Sequence, residues 1–292
     1  MTGVLAGIED ASREARVHDG AVVHDGSAID FRECEHFVGT SAGSIVAALL
    51  ASGRPPKRPR LEPVSHAAAR GSRDHHVSAA AHARDWGLAL ASPLVAPGLR
   101  LLERPGGLAR SLALRATPAP HRSLGDLQAR IDATGVRFDG RLRLVAVDRA
   151  RGRRVVFGCP GAPDATVGEA VQASCSVPWL FPPTQIGGRE YVDGATWSMT
   201  SIDAAPARRQ TRVLCLAPTA SLRSTPTAAA IGVATRIGVT VESGVLKARG
   251  ARVTVIAPDA ESTAVLDFRL MDPAPRDEAL AAGYRQGLAA GC

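Results

Sequence analysis

A short strand that runs through a glycine-bounded turn into a buried helix restricts the fold of this chain most. Residues 35–38 predict a strand that ends at the turn, and the apolar run 44–52, closed by Gly53, predicts a helix. Between them lies Gly39-Thr40-Ser41-Ala42-Gly43, which has the G-x-S-x-G spacing of a nucleophile elbow. Such a turn exposes its serine at a helix N-terminus, where the helix dipole favours an oxyanion. The alternative is a turn in which Ser41 only caps the helix.

Helices and short strands alternate along the rest of the chain. The pattern predicts a helix over 2–16, a hairpin formed by LRLVAVD and RVVFG, and a helix that begins at a Thr166–Glu169 capping box and ends before Pro178. It also predicts strands at 213–216 and 253–256 and helices near 226–249 and from about 275. This alternation favours one α/β domain over residues 1–292, with three layers and a mostly parallel central sheet flanked by helices.

Residues 54–139 interrupt the alternation. The first part, 54–76, is rich in proline and basic residues, which predicts a loop. The second part, 86–115, is apolar, broken by proline and punctuated by arginine, and is interpreted either as short core helices or as a hydrophobic cap over a lipid-sized pocket. We therefore expect a variable, partly helical insertion or cap within the domain.

Composition restricts the partners. The net charge is +7, but lysine occurs only at positions 57 and 247, so arginine supplies nearly all of the positive charge. Coding bias would also produce such an excess of arginine, so the charge is weak evidence for a nucleic-acid partner. Aromatic residues make up only 4% of the chain, and no nucleic-acid recognition motif is present. We expect no nucleic-acid partner, whereas a basic surface would suit peripheral contact with an anionic membrane.

The cysteines and the apolar segments indicate the compartment. The five cysteines are widely spaced and form no CxxC pair, so the sequence predicts neither a disulfide scaffold nor a zinc ribbon. A reducing, cytoplasmic location is expected. No segment has the ~18–20 uninterrupted apolar residues of a membrane-spanning helix, and no signal peptide is expected.

A serine nucleophile needs a general base, and the histidines lie in the wrong part of the chain for that role. None of the eight histidines follows His121, which nearly excludes the Ser…Asp…His order of α/β-hydrolases, in which the histidine comes last. Asp193 stands at the end of a short predicted strand over 190–192, and an aspartate within hydrogen-bond reach can accept the serine proton. The Asp-Gly pair alone is a weak signal because it is common in turns. A histidine cluster at 75–82 lacks carboxylate or cysteine partners, so no metal or other cofactor is expected.

Three segments together carry a family resemblance. GTSAGSIVAALLASG, ASCSVPWLFPP and IGGREYVDGA, in this order and spacing, resemble the patatin-like phospholipases over roughly residues 2–55 and 140–292. The resemblance implies an α/β acyl hydrolase that cleaves lipid or other carboxylic esters with a Ser–Asp dyad and no catalytic histidine. It implies that Ser41 is the nucleophile and Asp193 the base. It further implies that Gly39, Thr40, Ala42 and Gly43 form the elbow and oxyanion site, supported by Pro178, Gly194 and Ala195.

One part of the family pattern is missing. The family places a strand and a glycine-rich GGGxxG loop before the first helix, and the loop's N–H groups complete the oxyanion hole. Here the predicted helix follows Met1 directly, so the first strand and the loop are missing. Losing one oxyanion donor typically costs ~10²–10³ in rate. Two expectations follow: either the true start lies upstream, or the chain is a truncated, catalytically impaired relative that binds lipid or protein.

Four further residues are candidates near the site. Trp86, Trp179 and Trp197 are candidates to line an acyl pocket, although tryptophans buried in the core are an equal alternative. Arg189 is a candidate to contact a phosphate headgroup, with a solvated surface position as the alternative.

Overall fold

Five strands form the central sheet. The computed structural model describes residues 1–14, 28–60, 103–116, 124–266 and 275–291. The strands of the sheet are β1 (Phe37–Thr40), β2 (Leu142–Asp148), β3 (Arg153–Phe157), β4 (Thr184–Ile186) and β5 (Arg189–Asp193). Strand β2 pairs in parallel with β1 and antiparallel with β3 and β5, and β4 pairs antiparallel with β5. A second sheet contains the parallel strands β6 (Arg212–Leu216) and β7 (Arg252–Ile256).

The described residues also form eight helices. In chain order they are α1 (Thr2–Glu14), α2 (Ala42–Ala51), α3 (Glu103–Arg115), α4 (Gly125–Asp132), α5 (Val167–Cys175), α6 (Pro226–Ala248), α7 (Ala260–Leu266) and α8 (Arg276–Ala290). Short 3₁₀ turns lie at Phe31–Glu33, Gly194–Thr196 and Ile202–Ala204.

The two faces of β2 are covered by different helices. Because side chains alternate along a strand, Leu142 and Leu144 point to one face and Val147 to the other. The first face packs against α2 and α5 in the main core, which also contains Phe157. On the opposite face Val147 packs with Leu114 of α3. The expected three-layer α/β class, with a sheet between helices, is confirmed, and both parallel and antiparallel strand pairs contribute to it.

One edge of β2 brings two strand ends together. Strand β3 pairs along one edge of β2, so β1 and β5 share the opposite edge and lie end to end. Thr40, the last residue of β1, is opposite Val145, and Asp193, the last residue of β5, is opposite the next residue, Ala146. The chain leaving β1 continues directly into Ser41. The register therefore places Ser41 beside Asp193, although 152 positions separate them in sequence.

Most predicted elements match, with shifts at their ends. The strand expected over 35–38 is displaced to Phe37–Thr40, because pairing with β2 extends through Thr40, and the helix expected from Ser44 begins at Ala42. The capping box is present: Thr166 Oγ1 accepts from the N–H of Glu169, whose carboxylate accepts from the N–H of Thr166. Helices α4 and α7 and strand β4 were not expected. Strand β4 has only three residues and follows two prolines, so its sequence has the composition of a turn.

Among the described helices, only α6 is long and apolar enough to cross a membrane, judged by length and composition alone. No membrane-spanning segment was predicted from the sequence. In this fold α6 is a core helix. Its inner side packs with β6 and β7 in a second apolar cluster that contains Val239 and Leu246. Its buried Glu242 accepts hydrogen bonds from the neighbouring loop, and lipid would offer no such donors to a buried carboxylate.

Helices α1 and α8 pack closely at glycines. A Cβ added at Gly7 would lie 2.2 Å from the carbonyl oxygen of Tyr284, and one at Gly287 would lie 2.2 Å from that of Val4. Both neighbours are backbone atoms, so the helices would have to separate to accept a side chain. This contact positions the α1 side chains Leu5 and Ile8 in the main core, together with Val4.

Replacing Gly7 tests this packing. We expect Gly7→Ala to lower the free energy of unfolding by roughly 1–3 kcal/mol, because overpacking outweighs the better helix propensity of alanine. The matched control is Gly244→Ala on α6, where an added Cβ meets no atom within 4 Å. The control is expected to raise the free energy of unfolding by roughly 0.5–1 kcal/mol. Urea denaturation of both variants measures the difference, and equal effects would contradict the close helix contact.

Candidate active site

Ser41 occupies a strained turn at the junction of β1 and α2. Its backbone has φ 52° and ψ −129°, a conformation that a non-glycine residue rarely adopts. The strand before the turn and the helix after it hold this conformation. Gly39 is required for space, since an added Cβ would lie 2.5 Å from Cα of Ser44. Gly43 is different, because an added Cβ there would meet nothing within 4 Å.

The serine hydroxyl contacts one carboxylate. Ser41 Oγ donates a hydrogen bond to Asp193 Oδ2 at 2.7 Å, within the range needed for direct proton transfer. The other carboxylate oxygen, Oδ1, accepts from the N–H of Ala195 at 2.7 Å. Asp193 is only 1% exposed, whereas Ser41 remains partly open to solvent. The carboxylate is thus fixed below a serine that a substrate can reach.

Burial changes the protonation of this carboxylate. Loss of solvent raises the pKa of Asp193 from 3.8 to about 7, although the hydrogen bonds from Ser41 and Ala195 act to lower it. A base with a pKa near neutral is poised both to take and to return a proton. Burial, together with the nearby charge of Asp193, also raises the pKa of the Cys175 thiol to about 12. The raised pKa favours the uncharged thiol of Cys175, which is a weaker nucleophile than a thiolate.

The C-terminal end of α5 joins the two halves of the site. Ser174 Oγ accepts from the N–H of Ser41 at 2.9 Å and donates to the carbonyl of Val145 at 2.7 Å. Two residues later, the carbonyl of Ser176 accepts from the N–H of Asp193 at 2.9 Å. One short segment thus holds the backbone of both residues. Sequence reasoning assigned only a general supporting role to this ASCSVP block and did not single out Ser174.

The first turn of α2 is the candidate oxyanion site. The N–H groups of Ala42 and Gly43 begin the helix, where backbone donors have no intrahelical acceptor. The next donor, Ser44, is already used: its N–H and its hydroxyl both bond to the carbonyl of Ser41, at 2.8 and 2.6 Å. A carbonyl oxygen next to Ser41 would therefore meet N–H groups and the positive end of the helix dipole. Thr40, the remaining member of the elbow, is buried and donates to the carbonyl of Thr200 at 3.4 Å.

The predicted supporting residues lie close to Asp193. A Cβ added at Gly194 would lie 2.4 Å from the carbonyl oxygen of Val145, so only glycine allows the chain to pass β2 at this point. Ala195 supplies the N–H that bonds to Asp193. Pro178 is buried just after α5, in the segment that begins with Ser176. The structure thus places Gly194 and Ala195 directly beside the serine–carboxylate pair, and Pro178 in the segment that follows α5.

Glu242 of α6 was missed by sequence reasoning. It is 2% exposed, and its carboxylate accepts from the hydroxyls of Ser198 and Thr200 and from the N–H of Ile202, the last at 3.0 Å. These three donors lie in the loop that follows Asp193, and that loop also contacts Thr40. Glu242 therefore holds the loop against the site. A lone glutamate in an apolar helix was the available signal, because a buried charge requires polar partners.

The predicted pocket residues are placed differently. Trp197 packs against the core beside Val147 and Val192 and lies under the guanidinium of Arg110, 4.5 Å from the ring centroid, which favours the core alternative. Arg189 begins β5, so about four residues, or roughly 13 Å, separate it from Asp193. Its contact with a headgroup therefore stays a prediction, with a solvated surface position as the alternative. Trp179 is half-buried with φ 68°, and Trp86 and the histidine cluster lie outside the described residues.

Comparison with protein families gives a result that agrees with this geometry. Residues 27–206 match the family model of patatin-like phospholipases, a span that includes both Ser41 and Asp193. The match covers more than half of the sequence, and the chain therefore belongs to the patatin-like phospholipase family, whose members are lipid acyl hydrolases. Comparison with curated proteins finds no match.

Burial of Asp193 predicts a stability change in an isosteric variant. Between pH 4 and 7 the folded protein keeps a proton on Asp193 that the unfolded chain has lost, so the free energy of unfolding falls as pH rises. In Asp193→Asn the side chain does not ionise, so this fall in the free energy of unfolding is absent. The amide can still form hydrogen bonds with Ser41 and Ala195. We expect the variant to be more stable than the wild type at pH 8, by up to roughly 4 kcal/mol, with the difference vanishing below pH 4. Urea denaturation across this pH range measures it.

A second aspartate supplies a comparison of opposite sign. The hydrogen bond to Arg32 lowers the pKa of Asp30 to about 2, so its charge stabilises the fold above pH 4 and this contribution is lost as pH falls toward 2. Asp30→Asn is expected to be less stable than the wild type at neutral pH. If Asp193→Asn and Asp30→Asn change stability in the same direction, burial does not control the pKa of Asp193.

The bridging role of Ser174 leads to another variant. Ser174→Ala leaves the buried N–H of Ser41 and the carbonyl of Val145 without their shared partner, which typically costs 1–3 kcal/mol. We expect reduced stability by about that amount and slower labelling of Ser41 by a fluorophosphonate. Ser52→Ala, which removes a hydroxyl at the opposite end of α2, is the control and should keep the labelling rate. Equal labelling of Ser174→Ala and wild type would show that the bridge does not position the serine.

Proposed function

We propose that the protein is a serine-dependent lipid acyl hydrolase that cleaves carboxylic esters through an acyl-enzyme on Ser41. The observation that carries the proposal is the 2.7 Å hydrogen bond from Ser41 Oγ to the buried Asp193 carboxylate, at the start of a helix whose first N–H groups are free of intrahelical acceptors. Membership of a lipid acyl hydrolase family supports the substrate class.

Acylation begins with ionised Asp193. Ser41 Oγ attacks the ester carbonyl carbon while Asp193 Oδ2 takes the hydroxyl proton, and the oxyanion that forms lies against the N–H groups of Ala42 and Gly43. The tetrahedral intermediate then expels the alcohol part of the ester. Asp193 returns its proton to the departing alkoxide, so the carboxylate is ionised again and the acyl group remains on Ser41.

Deacylation repeats the same proton transfers with water. Water attacks the acyl carbonyl, and Asp193 takes one of its protons. The bond to Ser41 then breaks, the carboxylic acid leaves, and the proton on Asp193 passes to Ser41 Oγ. One carboxylate with a pKa near 7 serves both steps, which is why neither step requires a histidine.

The setting of the reaction is part of the proposal. The substrate is a lipid or another ester, and we place the enzyme in the cytoplasm, in contact with the periphery of membranes. The proposed compartment rests on the sequence, whose five cysteines are widely spaced and form no CxxC pair.

Activity of the variants and its pH profile test the proposal. Hydrolysis of p-nitrophenyl butyrate is expected to rise with pH through an apparent pKa near 7, because Asp193 must be ionised to act as the base. Ser41→Ala should abolish turnover and fluorophosphonate labelling, and Asp193→Asn should reduce kcat/KM by about 10³-fold or more while remaining folded.

The control is Ser52→Ala, which should retain wild-type kcat/KM. Turnover that survives in Ser41→Ala would refute the proposed nucleophile. A wild-type protein that neither turns over esters nor reacts with the fluorophosphonate would instead support a lipid- or protein-binding role for the same fold.

A further inference from the structure

A row of apolar side chains is exposed along α6. Val233, Ile237, Val241 and Val245 are 46%, 49%, 55% and 39% exposed. They recur every four residues, so they form one continuous ridge on the outer side of the helix. Single exposed apolar residues are ordinary on protein surfaces, whereas a contiguous row marks a contact surface. We call these four residues the α6 ridge.

The charges of α6 are separated by sign. Its single acidic residue, Glu242, is buried on the inner side and hydrogen-bonded to the loop near the site. Its two basic residues, Arg236 and Lys247, are exposed; they are about three helical turns apart, which places both on one side of the helix, beside the same cleft. The outer side of the helix is therefore apolar along its middle and positively charged on one flank, with no acidic residue of α6 on it.

A cleft adjoins the basic flank. Its volume is about 430 Å³, and it lies between α6 and β7, with Arg223, Arg236 and Lys247 among its lining residues. Ser243 also lines the cleft; it is 6% exposed, and its hydroxyl oxygen has no hydrogen-bond partner among the described residues. Basic groups beside a buried, unsatisfied hydroxyl suit the oxygen atoms of a phosphate group.

We propose that the outer side of α6 is a docking surface for a bilayer that contains anionic phospholipid. The α6 ridge enters the boundary between acyl chains and headgroups, and the cleft with its basic flank faces the headgroup phosphates. The purpose of this contact rests on the proposed lipid hydrolysis, since docking would bring the site to its substrate. The binding itself can be measured without turnover.

Charge favours a membrane over a second copy of the chain. In a two-fold symmetric dimer built on the α6 ridge, the same surface lies on both subunits, so two sets of Arg236 and Lys247 would share one interface. Like charges brought together in this way oppose association. An anionic bilayer supplies the opposite charge as well as the apolar layer that the ridge requires.

Co-sedimentation of the full-length Ser41→Ala protein with vesicles tests the proposal, because this variant binds without consuming lipid. Vesicles of phosphatidylcholine alone are compared with vesicles that also contain phosphatidylglycerol, at a ratio of about 2:1. We expect binding to the anionic vesicles that weakens in high salt. Adding Ile237→Ser and Val241→Ser, or Arg236→Gln and Lys247→Gln, should each lower the affinity about tenfold or more.

Matched controls change the same chemistry elsewhere. Leu112→Ser removes a side chain that is 67% exposed on α3, and Arg130→Gln with Arg137→Gln removes two exposed charges far along the sequence from α6. Both controls should keep the binding of the parent protein. Absence of binding to anionic vesicles, or equal losses in the controls, would overturn the proposal.

Two further measurements identify another occupant of the ridge. If the protein is a dimer and Ile237→Ser with Val241→Ser dissociates it, a second copy covers the ridge. If the ridge amides are strongly protected from hydrogen exchange and the same substitutions remove that protection, another segment of the chain covers it. Either result overturns membrane docking. Hydrolysis of p-nitrophenyl butyrate by the ridge variants of the otherwise wild-type enzyme should remain unchanged, so failure of docking is distinguishable from failure of the proposed catalysis.

Discussion

The shared edge of β2 is the constraint on which the site depends. Because β1 runs parallel and β5 antiparallel to β2, both strands end at the middle of this edge, opposite Val145 and Ala146. The serine after β1 and the aspartate at the end of β5 therefore meet because each lies directly at a strand end and not within a long loop. Gly39 and Gly194 are the points where this convergence leaves no space for a side chain. A shift of either strand by one residue would reverse which face its side chains occupy and separate the pair.

Burial of the Asp193 carboxylate raises its pKa toward neutrality at the expense of stability. The same loss of solvent that raises its pKa to about 7 disfavours its ionised form in the folded protein. The hydrogen bonds from Ser41 and Ala195 offset only part of this effect. A fully solvated aspartate would be a weaker base at neutral pH, and an unsupported buried one would be neutral and unable to accept a proton. The bonds from α5, which fix the backbone of Ser41 and Asp193, keep the pair aligned despite this cost.

Local signals in the sequence predicted most elements, the family resemblance pointed to the pair of Ser41 and Asp193, and long-range pairing decided the rest. The capping box at Thr166 and the turn around Ser41 depend on neighbouring residues, so both were visible in the sequence. The order of strands around β2, and therefore the antiparallel placement of β5, depends on contacts between distant segments that periodicity does not encode. Ser174 was hidden for the same reason: a serine near a helix end is ordinary until Ser41 lies 2.9 Å away.

Helix α6 links the interior of the site to the surface. Glu242 on its inner side holds the loop 198–202, and that loop contacts Thr40, the residue before Ser41. The apolar ridge occupies the outer side of the same helical turns. The same helix also packs on β6 and β7 through its apolar inner side, so Glu242 and the ridge belong to one packed element. The buried carboxylate therefore resists displacement of α6, because any shift would strand its charge away from the donors that satisfy it.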